Sequence, residues 1–233
     1  GPQAIAIILF IILLIIGKNY LSHRNENADL IDIDGLVKLE SRSIIGVMNE
    51  STSNVIKVFK RADKIYTILS EGLAKHDKSM LIKAKKNINR LTNDVEELRE
   101  NIFYFIKNLE ESSLSASNFY IVIISLIQDI TDDLEYIVNK SYKHVNNDHS
   151  KLKLSQIRDL KDVYELTEAV FHEAMEAFEK NSEVKITALL EKRAEVIQKL
   201  DEKINLQIEL TRNEETSPKN TTLYFNILLK SKD

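Results

Sequence analysis

Residues that break a helical backbone are scarce in this 233-residue chain. It contains five glycines and two prolines, and the long stretch from Leu73 to Ser217 contains neither residue type. A sheet protein of this length needs Gly, Pro and Asn-Gly turns to reverse its direction, whereas helices can be separated by Ser, Asn and Asp caps. The scarcity therefore predicts an all-α fold.

Several kinds of chemistry are disfavoured by what the sequence lacks. Without cysteine there are no disulfides, no Cys-ligated zinc and no thiol catalysis, which suits a reducing cytoplasm. No Gly-rich phosphate loop, G-x-S-x-G or HExxH motif is found, so we assign no catalytic residue and expect no enzyme. The net charge is −4, with both signs interspersed, and without a basic stripe we expect no nucleic-acid partner.

One long apolar run stands at the start of the chain. It extends from Ala4 to Ile16, and no ionisable side chain precedes Lys18. A membrane-spanning helix needs about 20 apolar residues, and a shorter run can instead be a core helix. Because the run is Ile-rich on every face, we favour the end of a transmembrane helix over residues 1–20. The cations that follow it, including Lys18 and Arg24, predict that residues 21–233 lie on the cytoplasmic side of the inner membrane.

The remaining residues show helical periodicity after a connector over residues 21–50. Asp77 is a candidate N-cap for the second helix, Asn181 or Ser182 for the fifth, and Ser217 for the sixth, with Pro218 at its first position. The periodicity predicts six helices, over residues 51–75, 77–109, 115–146, 155–180, 181–212 and from 217 to the last residue, 233.

Two stretches of the sequence resemble each other at a constant offset. Residues 110–129 match residues 214–233, with Glu-Glu at the start, Tyr120 opposite Tyr224 and Asp129 opposite Asp233. Weaker matches extend backwards, and they pair Tyr66 with Phe171. Chance is the alternative, because helices rich in Leu, Ile, Glu and Lys resemble one another. We predict two tandem three-helix units, 51–148 and 149–233, the second cut short, and we expect its last helix to continue as the third does.

Asp129 and Asp133 are the candidate metal ligands. Four residues apart on a helix, their Cβ atoms lie about 6 Å apart on one face, where the carboxylates repel unless a cation or a lysine lies between them. A site for a divalent or ferric metal is one interpretation, and a solvated acidic face is the other. The same two interpretations apply to the pair Glu96 and Glu100 and to Asp201.

Histidines and aromatic residues have simpler interpretations. His144 and His149 flank the predicted end of the third helix, where such residues commonly satisfy free carbonyls and favour the helix dipole, so we prefer capping to catalysis or metal binding. His23, His76 and His172 are isolated in the sequence. The aromatic residues Phe103, Tyr104, Phe105, Phe119 and Tyr120 are typical of a core and an interface rather than of a cofactor site.

Three stretches carry a resemblance to a known family. LRENIFYFIKNL (98–109), HVNNDHSKL (144–152) and EETSPKNTTLYF (214–225) resemble the cytoplasmic C-terminal region of PiT-family inorganic phosphate transporters. Two tandem three-helix units also resemble the PhoU fold, whose family carries a Glu/Asp-x-x-x-Asp metal motif in each unit, and DITDD (129–133) fits that motif. The resemblance implies cation-coupled phosphate transport by a core of other membrane helices, with this region below the membrane.

The leading hypothesis is therefore a PhoU-like regulatory domain of a phosphate transporter. Its partners would be the membrane, the transmembrane core of the same transporter and, for the whole protein, inorganic phosphate, and a homodimer is compatible with it. The alternative hypothesis is a membrane-tethered signalling or scaffold module that binds a partner protein. A third, weaker idea is a metal-binding domain that uses Asp129 and Asp133.

Overall fold

The computed structural model describes residues 35–36, 42–111, 115–180, 183–213 and 216–233. Its regular elements are α-helices, and the described ranges contain no strand, which confirms the predicted all-α class. In chain order the helices are α1 (Ile44–Lys75), α2 (Lys78–Glu100), α3 (Ile102–Asn108), α4 (Ser115–Asn146), α5 (Leu154–Lys180), α6 (Glu183–Asn213) and α7 (Pro218–Lys232).

Two helices differ from the prediction. The first begins at Ile44 rather than Ser51, because the Ser43 hydroxyl accepts the Gly46 N–H at 3.2 Å and caps a turn within the predicted connector 21–50. The predicted second helix is divided into α2 and α3 at Asn101, whose backbone has φ −77° and ψ −7°. The apolar residues on both sides of Asn101 keep one helical period, so the sequence pattern does not reveal the break. Asparagine has only a modest helix propensity, which allows a helix to end there.

The predicted caps Asp77 and Ser217 agree with the structure, whereas the predicted cap at Asn181 or Ser182 lies outside the described residues. The Asp77 carboxylate accepts the Met80 N–H at 3.2 Å, and the Ser217 hydroxyl accepts the Asn220 N–H at 3.4 Å, with Pro218 opening α7. Between α1 and α2 the chain turns at His76, which adopts a left-handed φ of 53°. Gly72 lies against Leu81 so closely that an added Cβ would come within 2.9 Å of the leucine side chain.

Helices α1, α2 and α4 pack against one another and form what we call the first bundle. Val47 near the start of α1 shares a buried cluster with Leu98 at the end of α2 and Tyr120 at the start of α4. Helices α1 and α4 therefore run in the same direction and α2 runs in the opposite one. The short helix α3 closes this end of the bundle, where Phe105 packs edge-on against Tyr120 with ring centroids 4.7 Å apart.

Helices α5, α6 and α7 also pack against one another and form the second bundle. The bundles join where α1 packs on α5 and α4 packs on α7, and one apolar core extends through both. Two stacked aromatic pairs mark the α1–α5 contact. Phe59 lies on Phe171 with ring centroids 5.4 Å apart, and Tyr66 lies on Tyr164 at 5.3 Å, so the two helices are antiparallel.

In the part of the chain that the structure describes, no helix is both long enough and apolar enough to cross a membrane. The predicted transmembrane helix over residues 1–20 lies outside the described residues, and so does most of the predicted connector 21–50.

Candidate functional site

The predicted metal ligands lie on α4 where it meets α7. Asp129 is exposed, whereas Asp133 is partly buried in the contact between the two helices. The Lys230 ammonium lies 3.1 Å from Asp133 Oδ1 and 3.4 Å from Asp233 Oδ2, and it therefore joins the two carboxylates. Lys230 could not be found from the sequence, since 97 residues separate it from Asp133.

The electrostatics of this cluster favour a cation beside Asp133. Burial raises the pKa of Asp133 above its ordinary value, the hydrogen bond and charge of Lys230 oppose that rise, and repulsion from Asp233 and Asp129 adds to it. The pKa of Asp129 is also raised, first by partial desolvation of its carboxyl group and then by repulsion from Asp132. A lysine placed between carboxylates relieves this repulsion in the same way as a metal ion would.

The cluster supplies few ligands for a metal. Hard divalent cations prefer about six oxygen ligands, and Asp133 already bonds an ammonium group. Among the described residues there is no group of three or more His, Cys, Asp or Glu side chains arranged to hold a metal. The metal assignment of Asp129 and Asp133 stays a prediction.

The other acidic candidates lie in ion pairs or in solvent. Glu96 pairs with Arg99 one turn along α2, and Glu100 is exposed. Asp201 on α6 accepts from the Lys232 ammonium at 2.7 Å. Surface pairs of this kind contribute little to stability, about 0–1 kcal/mol each.

His144 links the end of α4 to the loop that follows. Its Nε2 lies 3.0 Å from the Ser150 carbonyl, so it binds a loop carbonyl rather than one of the last carbonyls of the helix. Its ring also lies near those of His76 and His149, with centroids 6.5 and 5.2 Å away. Burial lowers the pKa of His144 below its ordinary value, and the neutral ring with a proton on Nε2 suits this site.

The aromatic residues of α3 and of the start of α4 divide into a buried and an exposed group. Phe105 and Tyr120 are buried, and the Tyr120 hydroxyl donates to the Leu98 carbonyl at 2.9 Å. Phe103 and Tyr104 are 66% and 63% exposed, and we call them the α3 aromatic pair. They lie at the end of the first bundle where α1 begins. The buried Phe105 and Tyr120 confirm the predicted core, the predicted interface stays a prediction, and the side chain of Phe119 lies outside the described part of the structure.

A groove lined mainly by apolar side chains lies between the bundles, at the end of α7. It has a volume of about 250 Å³, and its walls come from α1, α4, α5 and α6. Lys230, Lys232 and Asp233 of the chain's last turn also line it. Nothing in the sequence pattern predicts it, because its walls are helix faces with ordinary core periodicity.

Neither a scan against protein-family models nor searches of curated proteins and of solved structures found any match to this chain.

Proposed function

We propose that this chain is the PhoU-like regulatory domain of a PiT-type inorganic phosphate transporter, a cation-coupled secondary transporter, together with the end of its last membrane helix. The proposal begins from the resemblance of residues 98–109, 144–152 and 214–225 to that family. It also requires two repeated three-helix units, and the helix contacts described above are compatible with that requirement.

The stacked aromatic pairs between α1 and α5 are the observation that carries the proposal. The sequence repeat matches Phe59 with Tyr164 and Tyr66 with Phe171. In the structure, Phe59 stacks on Phe171, which is the counterpart of Tyr66. Tyr66 in turn stacks on Tyr164, which is the counterpart of Phe59. Such reciprocal contacts are what a twofold axis between equivalent elements produces. They support two copies of one unit packed face to face.

The α3 aromatic pair gives the domain a surface for its transporter. Leu36, in the stretch that precedes α1, packs against the buried cluster at this end of the first bundle. Leu36 therefore lies near the same end of the first bundle as Phe103 and Tyr104. Lys107 lies beside them, with its ammonium 5.9 Å from the Phe103 ring. Aromatic and cationic side chains together are typical of surfaces close to a membrane.

In the mechanism we propose, the domain controls the transporter by making different contacts with its different conformations. The domain transports nothing itself, and it changes the rate of its transporter only if it binds one transporter conformation more tightly than another. Residues 21–233 would lie in the cytoplasm, with the α3 aromatic pair against the inner face of the membrane core. A PhoU-like domain in that position would couple an intracellular signal to phosphate uptake.

Phosphate uptake by the full-length transporter tests the proposal. We expect deletion of residues 51–233 to leave transport active but no longer responsive to phosphate supply. The double substitution Phe103→Ser and Tyr104→Ser should weaken the response similarly, because both side chains are exposed and their loss leaves the core intact. Leu206→Ser is the matched control, since Leu206 is an exposed apolar residue on α6.

Unchanged uptake, expression and response in the deletion would contradict the regulatory role. A single membrane span or a sensor domain encoded upstream of Gly1, in place of several spans, would favour the alternative of a tethered signalling or scaffold module. In that case the α3 aromatic pair would bind a partner protein.

A further inference from the structure

The groove at the end of α7 exposes apolar surface in the second bundle. Val170 and Phe171 of α5 form one wall, and Leu190 and Ile197 of α6 form another. All four side chains are only partly buried. Leu126 of α4, also partly buried, lines the side that faces the first bundle.

The equivalent surface of the first bundle is covered. In the sequence repeat, Ile65 and Tyr66 of α1 are the counterparts of Val170 and Phe171 of α5. On α2, Ile88 is the counterpart of Leu190, and Val95 is the counterpart of Ile197. Each first-bundle residue is buried where its counterpart is only partly buried. Tyr66 is covered by the Tyr164 ring of α5. The second half of α4 packs against the first bundle with the buried side chains Leu134, Ile137, Val138 and Val145, of which Leu134 and Ile137 also line the groove.

The axis of α7 is directed along the groove. Helix α7 runs antiparallel to α4, because Asn226 receives a hydrogen bond from Tyr136 and Lys230, one turn later, bonds Asp133. Each further turn of α7 would therefore lie beside the preceding turn of α4, first at Ile130 and then at Leu126. These two α4 residues line the groove and are partly buried.

We propose that the groove binds an amphipathic α-helix that continues α7 in the same polypeptide. It covers the second bundle as the second half of α4 covers the first. Its apolar residues occupy the positions equivalent to Leu134, Ile137, Val138 and Val145, and its other face is polar. The proposal rests on the repeat and the groove, and it stands independently of phosphate transport.

The size of the groove fits this occupant. An apolar cavity of about 150 Å³ accepts one benzene-sized group, so a volume of about 250 Å³ takes the side chains of one helix face and not a whole helix. An amphipathic helix that lays apolar side chains at three- and four-residue spacing into a groove binds in this way. Its backbone would lie outside the groove, at the level of the α7 axis.

Cysteine labelling tests the proposal, because the chain has no cysteine of its own. Val170→Cys places one thiol in the groove, and Leu206→Cys places a control thiol on the exposed face of α6. Each variant is made in two polypeptides: the 233-residue chain, and the same chain prolonged by the residues that its reading frame encodes after Asp233. The rate of reaction with a maleimide is measured over a range of protein concentrations.

In the prolonged polypeptide we expect the groove thiol to react at least about tenfold more slowly than in the 233-residue chain, because a docked helix must open before the reagent enters. The control thiol should react equally fast in both. Replacing the apolar residues of the added segment by serine should restore fast labelling of the groove thiol.

Three results would overturn the proposal. One is a reading frame that ends at Asp233, and another is fast labelling of the groove thiol in the prolonged polypeptide. The third is slow labelling in the 233-residue chain itself. If that slow rate depends on protein concentration, a second copy fills the groove, and if it is relieved by delipidation, a lipid does.

Discussion

The two bundles agree closely at one end and differ at the other. Tyr120 and Tyr224 occupy matching positions on α4 and α7, and both are fully buried. Leu98 and Leu200 match on α2 and α6 and are also fully buried. At the level of these residues, all three helices of each bundle are in contact. The first turns of the third helix are therefore enough to close this end of either bundle.

At the other end the same kinds of residue have different surroundings. Ile88 has no exposed surface, whereas its counterpart Leu190 is partly exposed beside the groove. Both are large aliphatic residues of the second helix of their bundle. The difference arises because α4 continues over Ile88, while the described part of α7 ends before it reaches Leu190. Burial here depends on the third helix and not on residue type.

Paired alanine substitutions should show the largest difference between the bundles. Ile88→Ala should lower the free energy of unfolding by about 2–5 kcal/mol, because it leaves a cavity in a closed core. Leu190→Ala should cost about 1 kcal/mol, since a partly exposed side chain has less transfer free energy to lose. Urea unfolding of the 233-residue chain measures both. Equal losses would show that the groove is closed in solution.

The reciprocal stacking of α1 on α5 predicts smaller and equal coupling energies. Double-mutant cycles with Phe59→Leu and Phe171→Leu, and with Tyr66→Leu and Tyr164→Leu, should each give about 0.5–1.5 kcal/mol. Tyr164 also bonds the Thr67 hydroxyl at 2.6 Å, but this bond is lost in both the single Tyr164 variant and the double variant and therefore cancels in the cycle. Repeating the second cycle with Thr67→Val in the background should accordingly give the same coupling energy. Coupling in one pair only would argue against a twofold relation between the bundles.

The smallest expected effect concerns pH and the covered end of the first bundle. Burial lowers the pKa of His144 in the folded protein below the unfolded value of about 6.5, so folding favours the neutral ring. The contribution of the neutral His144 ring to the free energy of unfolding is fully present at pH values above the unfolded-state pKa. It is lost as the pH falls through the pKa of the folded state. His144→Gln should therefore make the urea midpoint fall less steeply between about pH 7 and 5. An unchanged slope would contradict the assignment of this pH dependence to His144.

Most helix positions, and the caps Asp77 and Ser217, could be predicted from the sequence because they depend on local signals. Ser217 followed by Pro218 is sufficient to place the start of α7, and the period of apolar residues places α4. Asn101 shows the limit of such signals, since one residue of modest propensity breaks a continuous apolar period.

The long-range contacts could not be predicted. The ion pair of Lys230 with Asp133 and the stacking of Phe59 on Phe171 join residues about a hundred positions apart. A sequence repeat shows which residues are equivalent, and it does not show which of them meet. The groove has the same origin, because it exists only where helices of both bundles come together.

Hydrogen exchange of backbone amides in the 233-residue chain tests most directly the claim that the bundles are copies of one unit with different cover. We predict that amides around Val170 and Leu190 exchange at least about a hundredfold faster than those around Ile65 and Ile88, because an uncovered helix opens locally at lower free energy. Amides around Tyr120 and Tyr224 should be protected alike. Equal protection of all the matched segments would contradict the account.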